Sequence, residues 1–65
     1  MTITFWKDGD DQTGITLSYV GDATVLEASI NPIKAHYFKT NSEAKAFIIK
    51  QGYALLSLGY EVYSE

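Results

Sequence analysis

Histidine is the residue type that ordinarily ionises near neutrality, and the chain has one, His36. Any acid–base reaction at pH 7 would draw on it, but a general base needs a reacting group within reach and a neighbour that orients its ring. The adjacent residues Ala35 and Tyr37 supply neither, and no nucleophile elbow of the Gly-x-Ser-x-Gly kind occurs. Cysteine and arginine are both missing, which removes thiolate nucleophiles and bidentate anion clamps, and one histidine cannot build the usual zinc site. His36 therefore reads as a hydrogen-bonded core or sheet-edge residue. The expectation is a non-enzymatic protein without catalytic residue or cofactor.

Asp8-Gly9-Asp10-Asp11 is the only acidic cluster, and oxygen-rich loops are what Ca²⁺ or Mg²⁺ require. A calcium-binding loop of the helix-loop-helix type places its acids at alternate positions, its glycine sixth and a glutamate twelfth. Here the glycine comes second and the twelfth residue is Tyr19, so a solvated hairpin loop is expected and no metal. The glycines at 9, 14, 21, 52 and 59 form neither a dinucleotide-binding nor a phosphate-cradling motif.

What remains is recognition by large amphipathic rings. Trp6, Tyr37 and Tyr63 are the candidate partner-binding residues, because tryptophan and tyrosine dominate interface hot spots when a sheet presents them to solvent. Whether they share a surface depends on the elements that carry them.

Residues 2–6 alternate polar and apolar types and are rich in β-branched and aromatic side chains, the signature of a half-buried strand. A loop over 7–14 then leads to a second strand at 15–20. Gly21-Asp22 is a turn signal before a third strand, 23–30, and Asn31-Pro32 ends it because proline has no amide hydrogen. A fourth strand follows at 34–39. Thr40 stands three residues before Glu43, a capping-box spacing, with Asn41 or Ser42 as alternative caps. Ala44, Phe47, Ile48, Leu55 and Leu58 recur at helical spacing. Gly52 interrupts this run, since an interior glycine costs about 1 kcal/mol against alanine. Continuation to Gly59, a natural residue after a helix end, is preferred over a strand at 53–58. A last strand covers 60–63. The order β-β-β-β-α-β predicts one small α+β domain over 1–65, with a mostly antiparallel sheet of four to five strands and a helix on one face, in two layers.

Successive strand side chains point to opposite sides, so the faces can be separated. Ile3, Phe5, Ile15, Leu17 and Tyr19 would face the helix, together with Leu26, Ala28 and Ile30 of the third strand and His36, Phe38, Tyr60 and Val62 further on. The opposite face would carry Thr2, Thr4, Thr16 and Ser18, then Val25, Glu27, Ser29 and Glu61, with Trp6, Tyr37 and Tyr63 among them.

Composition narrows the function class. A hydrophobic share of 46% with one Trp, five Tyr and three Phe argues for a folded chain. Without disulfides, its stability comes from packing, inside the chain or across a dimer. Five scattered lysines against eight carboxylates give a net charge of −3, the reverse of a nucleic-acid footprint. No signal peptide or membrane-spanning run is read, and the absence of cysteine fits a cytoplasmic location. The expected function is a protein-interaction module, a homodimer or a regulatory or inhibitory protein, using the aromatic face or an edge strand. Its partner would be another protein or a second copy, with no membrane, and with nucleic acid disfavoured by the charge. The competing reading is single-stranded nucleic-acid binding by base stacking on Trp6, Tyr37 and Tyr63.

Overall fold

A computed structural model of the chain describes residues 1–8, 14–29 and 33–65. The strands β1 (Thr2–Trp6), β2 (Gly14–Gly21), β3 (Thr24–Ala28) and β4 (Lys34–Tyr37) precede the helix α1 (Asn41–Ser57), and β5 (Glu61–Ser64) follows it. They form one antiparallel sheet in the order β4-β3-β2-β1-β5, with α1 on one face. This is the two-layer α+β architecture expected from the sequence, with five strands. The expected first hairpin is present, Trp6 lying opposite Gly14. Asp10, Asp11, Ile30 and the Asn31-Pro32 break lie outside the described residues.

The helix is defined by its ends. Thr40 is extended at φ −134°, and its hydroxyl accepts a hydrogen bond from the Glu43 amide at 3.1 Å, satisfying one of the donors a helix start leaves unpaired. At the other end Gly59 takes φ +95°, a left-handed conformation that a side chain disfavours. Its amide donates to the Leu56 carbonyl at 3.1 Å, and that of Tyr60 to Leu55 at 3.0 Å, the paired bonds of a Schellman ending. Leu55 and Tyr60 also meet in the core cluster, so the cap is held by packing too. Between these ends α1 continues through Gly52. Leu58, expected on the packed face, is instead the capping residue and is exposed.

Ala44, Ile48, Gly52 and Leu55 form the buried stripe of α1. They pack on Phe5, Leu17 and Val25, with Ile3, Ile15, Tyr19 and Phe38 around them. The helix crosses the sheet from one side to the other. Near its start the Asn41 side-chain oxygen accepts from the Ala23 amide at 2.7 Å, beside the β2–β3 turn. Phe47 lies against His36 and Phe38, with ring centroids 4.7 and 5.2 Å apart. Further along, Gly52 rests on Phe5 of β1, and the chain then enters β5. Opposite edges of the sheet are thereby joined.

The phase of β3 is the reverse of the sequence expectation. Val25 is fully buried and Glu27 lies opposite Leu17, so these two face the helix while Leu26 and Ala28 face away. The cause is the turn. Asp22 and Ala23 both take φ +52°, the conformation of a two-residue hairpin with Gly21 opposite Thr24, and the register slips between Tyr19 and Gly21. One extra residue on β2 turns every side chain of β3 over. Glu27 is tolerated on the helix side because it finds a partner there, described below.

Candidate binding edge

β5 is an edge strand, and all four of its residues are exposed. Because α1 crosses the sheet obliquely, it leaves an open groove along this edge. Ile3 and Val62 form its sheet wall, and Ile49, Tyr53 and Leu56 its helix wall. Phe5, Ile48 and Gly52 make the floor, and Glu65 is the charged residue among the lining groups. The groove holds about 260 Å³, below the roughly 300–1,000 Å³ of pockets that enclose a small molecule. Its shape suits side chains projecting from a flanking segment.

The other face of the same edge carries aromatic rings. Trp6 and Tyr63 meet edge to face, their centroids 6.2 Å apart and their planes inclined by 67°. Tyr63 remains 70% exposed, so the pair still presents surface to a partner. Next to it runs a hydroxyl ladder, with Thr4 and Thr16 at 3.1 Å and Thr2 and Ser18 at 3.4 Å. Tyr37 is on this face too, opposite Thr24, but on β4. With four strand spacings of about 4.8 Å between the two edges, it lies roughly 20 Å or more from Tyr63. The structure thus brings Trp6 and Tyr63 together and sets Tyr37 apart from them.

His36, which has no partner evident in the sequence, has one in the fold. Its Nε2 lies 2.9 Å from Oε1 of Glu27. An ionised carboxylate only accepts, so the ring donates from Nε2. With Phe47 against its face, this histidine links β3, β4 and α1. The pair joins the neighbouring strands β3 and β4 through their side chains. Among the described residues no group of three or more His, Asp or Glu side chains could hold a metal ion. No helix among them is long and apolar enough to cross a membrane.

Ile49, Tyr53 and Leu56 are the surface residues that sequence reasoning missed. Their spacing carried the signal: positions i, i+4 and i+7 make a second apolar stripe beside that of Ala44, Ile48, Gly52 and Leu55. A helix with two apolar stripes has one more than a single sheet face can cover. Comparison with known protein families, curated protein sequences and solved structures finds no match.

Proposed function

We propose that this chain is a protein-interaction module that binds by strand addition along β5. The observation that supports this most directly is the flanking of one exposed edge by apolar surface on both sheet faces: the groove with Tyr53, Leu56 and Val62 on one, Trp6 and Tyr63 on the other. An extended segment laid beside β5 would satisfy the backbone of the edge. Its alternate side chains would fall into the groove and onto the ring pair. The other edge is differently equipped. β4 carries Lys34, with Lys39 just beyond it, and lysine on an edge opposes pairing; β5 has neither Lys nor Pro, its irregularity being the bulge at Tyr63 opposite Thr4 and Phe5. Base stacking is the weaker reading, because Tyr37 is remote from Trp6 and Tyr63 and the net charge is −3.

The test is selection from a library of short linear peptides, with the Val62→Lys protein as counter-selection. Enriched peptides should alternate apolar residues, and their footprint by amide chemical shifts should fall on Glu61 to Ser64, Ile49 and Tyr53. Failure to enrich any sequence over the Val62→Lys protein, or a footprint on β4, would overturn the reading.

A further inference from the structure

We infer that the segment seated on β5 is the β5 strand of a second copy of this chain; the inference rests on β5 being the binding edge. Three observations favour this occupant. The first is area: Ile49, Tyr53, Leu56, Val62 and Tyr63 are 58, 69, 45, 46 and 70% exposed. Together they offer roughly 600 Å² of mainly apolar surface, given about 150–250 Å² for a large aromatic side chain. Wholly covered in both copies, this surface would amount to about 1,200 Å², against the roughly 1,000 Å² that marks a specific interface.

The second observation is register. Antiparallel pairing about a twofold axis must keep like faces together, so the axis passes beside Val62 or beside Tyr63. Centred on Tyr63, the pairing sets Val62 opposite the second copy's Ser64, and the bulge of β5 puts these two on different faces, Val62 lying opposite Phe5 and Ser64 opposite Thr4. Centred on Val62, it sets Glu61 opposite the second copy's Tyr63 and Val62 opposite its own counterpart. The strand therefore specifies one register for self-pairing. Third, this twofold stands perpendicular to the sheet and keeps both helices on one side. The two grooves open toward each other, with Tyr53 and Leu56 of each copy lining a shared apolar channel, and Glu65 at its rim. The product is a closed, isologous pair with a continuous ten-stranded sheet.

Light scattering behind size exclusion, on untagged protein at concentrations up to about 1 mM, tests this. The wild type should approach twice the 7.2 kDa of one chain. Tyr53→Glu, at an exposed helix position where folding is not at stake, should weaken the dimer at least about tenfold. Val62→Lys should do the same, and Tyr37→Lys on the other edge should leave it unchanged. Monomer mass throughout overturns the second copy as occupant while leaving strand addition on β5 to its peptide test. A dimer broken by Tyr37→Lys, or one indifferent to Tyr53→Glu and Val62→Lys, overturns the self-pairing and argues against the β5 edge as well.

Discussion

Gly52 of α1 and Phe5 of β1 approach so closely that a Cβ on Gly52 would stand 3.1 Å from Cζ of the ring. The glycine is there to let the helix down onto the sheet, and the ring beneath it is 2% exposed. Gly52→Ala gains about 1 kcal/mol of helix propensity but crowds a packed ring, for which overpacking costs about 1–3 kcal/mol. A net loss of about 1 kcal/mol is expected in urea denaturation. In a Phe5→Leu background the same substitution should turn stabilising, since the crowded ring is gone.

Glu27 and His36 should act as a unit. Their side chains are 21% and 31% exposed, so the bond is neither fully screened nor fully desolvated. Glu27→Ala is expected to cost about 1 kcal/mol, and Glu27→Gln less, because an amide oxygen still accepts from Nε2. A double-mutant cycle with His36→Phe should return a coupling of about 0.5–1 kcal/mol. Strict additivity would show that the pair contributes nothing beyond its separate packing.

Asn41 holds the turn that sets the phase of β3. Ala23 sits at φ +52° with its amide on the Asn41 oxygen, a conformation that costs an ordinary residue about 1–2 kcal/mol. Asn41→Ala should lower stability by about 1 kcal/mol. Asn41→Asp should be tolerated, because a carboxylate accepts the same bond and suits the first turn of a helix. Thermal melts with Asn41→Leu, which keeps bulk but not the acceptor, as a third variant distinguish loss of the bond from loss of bulk.

These residues also mark how far the sequence could be read. Strand and helix positions were legible because Thr40, Gly59 and the alternation of β1 and β2 are local signals that the fold keeps. The face of β3 was not, since Thr24, Leu26 and Ala28 on one side and Val25 and Glu27 on the other are both plausible inner rows. The choice lay in the φ of Asp22 and Ala23 and in a partner, His36, nine positions away. The aromatic candidates were legible as a face but not as a site, because strand order, which separates Tyr37 from Trp6 and Tyr63, is not written in any local pattern.

Trp6 and Tyr37 should therefore diverge when substituted. Trp6→Ala is expected to lower the affinity of a peptide selected on β5 at least tenfold, about 1.4 kcal/mol. Its effect on stability should be about 1 kcal/mol, the scale of the lost ring pairing with Tyr63. Tyr37→Ala, at a residue 78% exposed, should change neither. Parallel peptide titrations and urea melts check both. Unfolding of the Trp6→Ala protein would make Trp6 a core residue.

The connection of α1 to β5 has a kinetic consequence. Strands β1 to β4 form a meander in which each pairs with the next in sequence, whereas β5 reaches back to β1 across nearly the whole chain. Closing that span carries the largest loop entropy of any pairing in the sheet, and it must be met before the ladder between Phe5 and Val62 returns any gain. The last strand is thus expected to zip last. Its amides should be the fastest in the sheet to exchange with deuterium, and the edge proposed for binding should also be the part of the fold that opens most readily.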